Sequence, residues 1–408
     1  MQMKGLLANR PFLIVMLSSL VHNSGIWIRN MALLFFVMEK TQGDPIAVSL
    51  LTIVEYFPIF LFSVVGGILA DRWRPKRTMI WGDVLSFASI VAILIVVASG
   101  LWQAVFVTTA VSAIASQFSQ PSSMKIIKHH VPEEHIQIAM GLNQTIMSLF
   151  IIVGPVIGTS IYQLFGVEYS LLSLLVLFTL SAVILSFLPS SQFTREVEKT
   201  SILQDIKSGF QYVKLHRHLK TLMLMFSVLA FGIGLIQPLD VFIITDRLGI
   251  AKENLQWFTA LAGVGTLFGA IISAAVFKRI NGRLTIFTGL AFLGAATIVE
   301  VLSIWPILTG SMRFTTGIFM AFVQTILSTL MITTVEERYI GRINGLITPL
   351  FTGFLLIGTS ISGVYLANTS LITVFITAGV IFVLAACVSL KFSFSSSTKS
   401  NTISTIDN

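Results

Sequence analysis

Six ionisable side chains lie within long runs of apolar residues, where an unpaired charge is costly. They are His22, Arg29, Glu55, Asp240, Glu300 and Arg313. An acid in such surroundings either pairs with a base or holds a proton, because a lone charge at the centre of an apolar layer costs about 2.5 kcal/mol or more. These residue types therefore indicate buried ion pairing or reversible proton binding.

The elements that position these residues are apolar segments long enough to cross a lipid bilayer. The chain has 408 residues, of which 55% are hydrophobic and 11% charged, and its mean hydropathy is +0.89. Windows of about 20 residues, the length of a membrane-spanning helix, identify about twelve segments, roughly 11–38, 46–70, 78–99, 102–124, 136–162, 168–189, 221–246, 255–277, 284–302, 305–332, 343–367 and 369–391. They are continuously apolar without the alternation of barrel strands, so they predict an all-α membrane protein.

The basic residues predict the orientation of the chain. With the N-terminus inside, 21 of the 26 Lys and Arg residues fall in the inside loops, as the positive-inside rule requires. We therefore expect a multi-pass protein of the cell membrane with both termini cytoplasmic. The net charge of +8 comes from these basic inside loops, which face the anionic lipids of the cytoplasmic leaflet. It therefore indicates no nucleic-acid partner.

A polar segment at residues 190–220 divides the chain into two sets of six segments. We expect an N-terminal half at 1–189, a cytoplasmic linker with a short amphipathic helix at 190–220, a C-terminal half at 221–391 and a disordered cytoplasmic tail at 392–408. Two pseudo-symmetric halves of six helices are typical of transporters in which one half rocks against the other around a site at the bilayer midplane.

The loop between the second and third segments carries the most specific motif. It reads Gly67-Ile-Leu-Ala-Asp71-Arg72-Trp73-Arg74-Pro75-Lys76-Arg77. This run resembles the signature loop of the major facilitator superfamily, a glycine followed by Asp-Arg and a basic cluster. The resemblance implies the major facilitator fold and a gating role for Gly67, Asp71, Arg72, Arg74, Lys76 and Arg77, with the acid locking the outward-facing state. Arg74 and Pro75 stand where the commonest form has glycine and a basic residue.

Two further stretches narrow the resemblance. The fifth segment contains Gly154-Pro155-Val156-Ile157-Gly158, which is similar to the proline-glycine motif of exporters and implies a bend that takes part in gating. An ordinary kinked membrane helix is the alternative. Residues 117–144 and 341–345 look like the macrolide-efflux branch of the drug:proton antiporters. In two departures from that branch, Ser112 replaces an arginine tied to proton coupling and Ile26 replaces an acid.

The coupling residues must therefore be sought among the six ionisable side chains. In the superfamily, the first, fourth, seventh and tenth spans line the central cavity and the second flanks it, which favours Arg29, Glu55, Asp240 and Arg313. Counting residues from the ends of the spans predicts an Arg29–Glu55 pair and an Asp240–Arg313 pair. Each pair is either a structural or gating ion pair or a site of proton exchange.

The other two ionisable residues have simpler expected roles. His22 is either a polar group in helix packing or a substrate ligand or proton relay, and it stays among the coupling candidates. Glu300 lies near the outer end of a peripheral span and is expected to reach interfacial water.

Apolar side chains on the same spans are expected to form the wall that accepts a bulky amphipathic substrate. The candidates are Trp27, Met31, Phe35, Phe231, Gln237 and Phe322. We therefore expect a monomeric, proton-coupled exporter of amphipathic small molecules that works by alternating access. An importer or facilitator of a polar nutrient would need several polar groups facing the cavity, and the spans carry few. A non-transporting membrane sensor is the third possibility.

Nothing in the chain indicates an enzyme, a cofactor or a metal site. It contains no phosphate-binding glycine loop, no metal-ligand spacing and no cluster typical of nucleophilic catalysis. Its single cysteine, Cys387, rules out an internal disulfide.

The signature loop yields the first testable prediction. Asp71→Asn is expected to abolish most substrate transport while leaving membrane abundance near the wild-type level, because the charge acts in gating and not in folding. Efflux from cells, measured beside an immunoblot of their membranes, checks both expectations. Normal transport by this variant would remove the gating role from Asp71.

Overall fold

The computed structural model describes Leu6 and residues 8–72, 74–189, 202–276 and 280–390. The described residues are helical apart from short connections. Helices α1 to α4 are Arg10–Lys40, Pro45–Arg72, Pro75–Ala98 and Ala104–His130. The helical segment Glu133–Ser186 breaks at Gly166 (φ 74°) into α5 (133–165) and α6 (167–186). The remaining helices, α7 to α13, are Ile202–Leu215, Arg217–Ile236, Leu255–Val276, Gly282–Leu302, Pro306–Thr334, Glu337–Asn368 and Leu371–Ser389.

The helices account for the twelve predicted membrane spans. Ten helical segments are long and apolar enough to cross a bilayer, and one of them, of 54 residues, contains both α5 and α6. The twelfth span is α4, whose 27 residues reach about 40 Å at 1.5 Å per residue. It is more polar than the others because it carries Ser112, Gln117, Ser119 and Ser123. The all-α class and the twelve spans are confirmed.

Residues that suit helix ends set the boundaries of the spans. Asn9 precedes α1 and its side chain accepts a hydrogen bond from the Phe12 amide, which satisfies one of the free N–H groups at a helix start. Pro45 and Pro306 stand at the first position of α2 and α11, where the missing N–H is not needed. Gly166 adopts a left-handed φ of 74°, which glycine allows without strain. The break separates the fifth and sixth spans.

Two six-helix halves pack against each other through equivalent helices. In the N-terminal half α1 packs on α5 and α6, and α4 packs on α2 and α3. In the C-terminal half α8 packs on α12 and α13, and α9 and α10 pack on α11. The halves meet where α2 contacts α12 and where α5 contacts α9. Helices α2 and α9 are the second spans of their halves, and α5 and α12 are the fifth spans. Each contact therefore joins a second span to a fifth span of the other half, as the pseudo-twofold symmetry of the fold requires.

Glycine allows α1 and α5 to approach closely. A Cβ atom placed on Gly158 would lie 2.6 Å from the Trp27 carbonyl oxygen, and one placed on Gly154 would clash with the Trp27 ring. Small residues permit such backbone contact in a bilayer, where no hydrophobic force drives helices together. Pro155 is buried, and the backbone stays helical on both sides of it as far as Gly166. The proline-glycine stretch therefore builds a tight helix contact within one half.

The linker contains the predicted short helix, α7. Tyr212 of α7 stacks on Tyr339 of α12 with ring centroids 4.1 Å apart, and Gly209 lies against Arg342 and Leu346. This helix is thus attached to the C-terminal half. Residues 190–201 of the linker and the predicted tail at 392–408 lie outside the described residues, so the predicted domain boundaries stay predictions.

The contact between α1 and α5 generates a stability prediction. Gly158→Ala should destabilise the protein by about 1–3 kcal/mol, the usual cost of overpacking, because the new methyl group meets the backbone of α1. Gly141→Ala, on the same helix with nothing within 4 Å of the added Cβ, is the matched control. Thermal unfolding in detergent measures both, and equal melting temperatures would contradict the packing role of Gly158.

Candidate functional site

A cluster of three charged residues lies within the C-terminal half. Arg313 of α11 donates two hydrogen bonds to Asp240, from Nη1 to Oδ2 at 3.0 Å and from Nη2 to Oδ1 at 2.9 Å. Its Nε lies 2.7 Å from Oε2 of Glu300 on α10. One guanidinium therefore contacts two carboxylates, and the predicted Asp240–Arg313 pair is present in this arrangement.

A break in the helical backbone positions Asp240. Pro238 has no N–H to donate, and α8 ends just before it at Ile236. The chain continues as a 3₁₀ turn at Gln237–Leu239 and a π-helical turn at Ile243–Arg247, forms that often occur at functional sites in helices. Asp240 lies between the two irregular turns.

Glu300 corrects an expectation from the sequence. It was expected to reach interfacial water, but only 5% of its surface is exposed and it contacts Arg313. The reason is that α10 packs between α11 and α13, which turns this face of the helix inward. The sequence signal was available, because Glu300 is one of very few acids inside a predicted span.

A second polar network lies in the N-terminal half. Arg29 is 2% exposed and donates through Nε and Nη2 to Oδ1 of Asn30. Asn30 in turn donates to Oε1 of Glu55 at 2.8 Å, and the direct Arg29–Glu55 distance is 3.9 Å. The predicted Arg29–Glu55 pair is thus present, with Asn30 bridging it. Arg29 also donates through Nη1 to Ser112 of α4.

A third pair was not predicted. His22 Nδ1 lies 2.8 Å from Oδ1 of Asp83 on α3, and Asp83 is 2% exposed. Asp83 falls within the predicted third span at residues 78–99, so the sequence could have placed it among the intramembrane acids.

A polar cavity lies between these two networks of the N-terminal half. Its volume is about 240 Å³, and its lining includes His22, Asp83, Arg29 and Glu55. The side chains expected to form the apolar wall are not among its lining residues. Polar side chains of α1, α2, α3, α4 and α5 line this space beside apolar ones.

The residues expected to form the apolar wall have other contacts. Trp27 and Met31 pack against the glycines of α5, and Phe35 is fully buried against Tyr162 with ring centroids 5.1 Å apart. Gln237 joins the two halves by donating to the Tyr56 hydroxyl at 3.1 Å. Two more candidates, Phe231 and Phe322, are partly buried in the C-terminal half. Their role toward a substrate stays a prediction.

The gating candidates of the signature loop divide into two groups. The structure does not describe the side chains of residues 63–73. This range includes Gly67, Asp71 and Arg72. Lys76 donates to the carbonyl oxygens of Ser186 and Leu188, which fastens the start of α3 to the end of α6 in the same half. Arg74 and Arg77 are exposed beside Trp81 in a groove along α3. Their gating roles remain predictions.

The two halves also contact each other at the face that carries the loops 41–44 and 248–254. We call it the outer face, because the predicted orientation places it outside the cell. Lys252 of the C-terminal half lies 2.6 Å from Oε1 of Glu39 at the end of α1. Tyr162 of α5 donates to the same oxygen. The Lys252 ammonium also lies 5.5 Å from the Phe35 ring centroid, within the range of a cation–π contact. We call Glu39, Tyr162 and Lys252 the outer latch.

Comparison with known proteins places this architecture in a family. The family model of the Major Facilitator Superfamily matches residues 15–352. The chain belongs to this superfamily. It is therefore a membrane transporter with a small-molecule substrate, and not an enzyme.

Individual relatives are distant but cover nearly the whole chain. The uncharacterised transporter YfiS of Bacillus subtilis is 28% identical over 95% of this chain and 94% of its own. Macrolide efflux protein A of Streptococcus pyogenes is 21% identical over 88% of this chain and 90% of its own. The crystal structure of a bacterial homologue of the iron transporter ferroportin, in an inward-facing state, superposes with a TM-score of 0.72 at 16% identity and covers 93% of this chain and 99% of its own. This last likeness supports the fold alone.

The outer latch generates a conformational prediction. Lys252→Gln should increase the population open at the outer face, because the carboxylate of Glu39 loses its partner in the other half. The shift should be a few-fold at most, since Glu39 is 56% exposed and such pairs contribute about 0–1 kcal/mol. Spin labels attached at Lys40→Cys and Ala251→Cys, in a Cys387→Ser background, report the distance between the halves.

The exchanged pair Glu39→Lys with Lys252→Glu is the control for the latch. It keeps opposite charges across the interface and should restore the wild-type distance distribution. An unchanged distribution in Lys252→Gln would show that the latch does not hold the halves together.

Proposed function

We propose that the chain is a proton-coupled exporter of amphipathic small molecules, acting as a monomer in the plasma membrane with both termini cytoplasmic. The observation that carries this proposal is the single guanidinium of Arg313 held between Asp240 and Glu300. We assign proton binding to this cluster.

The charge of the cluster explains why it would bind a proton. Two ionised carboxylates and one guanidinium leave a net charge of −1, and an uncompensated charge inside a membrane is costly. A proton shared by the two carboxylates neutralises the cluster, as in other pairs of acids that titrate together. Asp240 has 27% of its side chain exposed and Glu300 has 7%. Asp240 is thus the member that meets water, and Glu300 is the buried one.

The broken backbone beside Asp240 supports release of the proton during transport. Irregular turns on both sides of Asp240 can change their winding at less cost than a regular helix, which must give up a hydrogen bond for each residue unwound. We infer that movement of the halves rewinds these turns, which shifts Asp240 relative to Arg313 within the C-terminal half and changes the proton affinity of the cluster. Such a change between two conformations is what couples proton movement to substrate movement.

Export is favoured over import by the named relative, since a macrolide efflux protein shares most of the chain length. Resemblance to the exporter motif in the fifth span agrees with this direction. A compound with an apolar body and one amine matches the substrate class that we propose.

Uptake or facilitated movement of a small polar compound is the second candidate. The polar lining of the cavity in the N-terminal half favours it, because His22, Asp83, Asn143 and Gln117 offer several hydrogen bonds. The direction of accumulation decides between the two. An exporter lowers the amount of labelled erythromycin or ethidium in cells, whereas an importer raises the amount of its substrate.

Neutralising one carboxylate of the cluster tests the coupling role. Asp240→Asn and Glu300→Gln should each reduce gradient-driven ethidium transport in proteoliposomes to the level of protein-free liposomes. Exchange of ethidium without a gradient should continue, because Arg313 and the remaining carboxylate form a neutral pair that needs no proton. Both variants should fold for the same reason, whereas Arg313→Gln leaves two acids without a base and should lower membrane abundance.

Two controls sharpen this experiment. Glu168→Gln removes an exposed acid of the N-terminal half and should leave coupling unchanged. Glu55→Gln tests the other candidate carboxylate, and coupling lost in that variant alone would transfer the role to the Arg29–Glu55 network. Gradient-driven transport retained by Asp240→Asn, Glu300→Gln and Glu55→Gln would refute proton coupling at all three acids.

A further inference from the structure

One oxygen of the buried Asp83 carboxylate has no partner. Oδ1 accepts a hydrogen bond from Nδ1 of His22 at 2.8 Å, but Oδ2 is buried without a hydrogen bond to any described residue. The Asp83 side chain is only 3% exposed. A buried carboxylate oxygen without a donor is costly, so its position calls for a ligand or water.

The cavity beside Asp83 offers room for such a ligand. Asp83 and His22 line the space of about 240 Å³ in the N-terminal half, together with Glu55 and Arg29. This space is far larger than the roughly 30 Å³ that one water occupies in the liquid. It is somewhat smaller than a typical drug site of about 300 Å³ or more. A compact organic molecule matches its size.

The charges around the cavity favour a cation. Glu55 is balanced by Arg29 through Asn30 and the direct 3.9 Å contact. Among the described residues, His22 is the basic side chain paired with Asp83, and an imidazole can donate the Nδ1 hydrogen bond without carrying a charge. The lining therefore carries a net charge of −1 until a cation or a proton arrives, and a buried carboxylate gains most from a charge-assisted hydrogen bond.

The remaining lining points to an organic cation and not to a metal ion. The described residues contain no group of three His, Cys, Asp or Glu side chains that could hold a metal. Ile26, Ile146 and Met147 supply apolar contacts, while Asn143 and Gln117 supply polar ones. A protonated amine attached to a flat or compact apolar body would fill this space with both kinds of contact.

We propose that Asp83, positioned by His22, receives the protonated amine of the transported molecule within the N-terminal half. The proposal deepens the function proposed above by naming the substrate as an organic cation, and it depends on that function only for the direction of transport. His22 acts as a positioning residue, since it holds Oδ1 of a carboxylate that lines the cavity.

Binding of a fluorescent probe tests the site without any proton gradient. Proflavine is a flat cation with N–H donors at neutral pH, and acridine is its uncharged counterpart. Asp83→Asn should weaken proflavine binding to the purified protein by about tenfold, the loss expected for one charge-assisted hydrogen bond. Acridine binding should be equal in the two proteins. Glu168→Gln, which removes an exposed acid near the Gly166 break, is the control for net charge and should bind both probes normally.

A second variant keeps the test decisive if Asp83→Asn does not fold. Ala113 of α4 lines the cavity and is 5% exposed, so Ala113→Leu should fill part of the space and weaken the binding of both probes. His22→Gln should weaken proflavine binding less than Asp83→Asn, because the carboxylate remains but is less well held.

Three results would overturn the inference. Proflavine bound equally by the wild type, Asp83→Asn and Ala113→Leu would place the probe elsewhere. No proflavine binding, with more protons taken up by the wild type than by Asp83→Asn, would make Asp83 a proton site. Neither binding nor proton uptake would leave water as the occupant. All three are independent of the coupling cluster, because Asp240→Asn should bind proflavine normally whether or not it couples protons.

Discussion

The constraint on which the structure depends is the cost of placing charge within a membrane. A charged side chain at the centre of a span is tolerated when a partner lies within the protein. Arg313 meets Asp240 and Glu300, Arg29 is paired with Asn30 and Ser112 and lies 3.9 Å from Glu55, and His22 meets Asp83. Most of these contacts connect different helices, so the polar groups also help to determine how the spans are arranged.

The two polar clusters differ in how their charges balance. In the N-terminal half Arg29 offsets Glu55, and Asp83 is left in excess beside the cavity. In the C-terminal half one arginine serves two acids. Each cluster therefore contains one carboxylate more than its single arginine neutralises. Asp83 lines the cavity that we propose for a cation, and Asp240 lies at the broken helix that we propose for proton exchange. In this proposal, the N-terminal half binds the substrate and the C-terminal half binds the proton.

Small residues allow the movement that joins these tasks. Gly263 lies against Ile152 where α9 meets α5, and Gly353 lies against Phe60 where α12 meets α2. Because glycine forms one side of each contact, no side chain on that side has to be displaced when the halves move. The outer latch adds a polar contact at one face that must open when the other face closes.

The sequence by itself determined the class of the protein and the residues that carry chemistry. The apolar segments predicted the spans, because a bilayer imposes a fixed length on every helix that crosses it. Proline and asparagine marked several helix ends, since their local hydrogen bonding does not depend on the rest of the fold. Scarce charges inside apolar segments pointed to Asp240, Arg313, Arg29, Glu55 and His22, because the cost of an intramembrane charge can be read from one segment alone.

Only the tertiary structure decided which of these groups meet and which are left in excess. Glu300 joins Arg313 because α10 packs on α11, and Asp83 joins His22 because α3 lies near α1. Neither contact follows from spacing along the chain, since even consecutive helices such as α10 and α11 can pack with different faces toward each other when those faces are equally apolar. The unpaired oxygen of Asp83 and the cavity beside it likewise depend on where six helices place their side chains. Which residues form an ion pair depends on how the helices pack. The free-energy cost of an unpaired charge in the membrane depends on the residue itself.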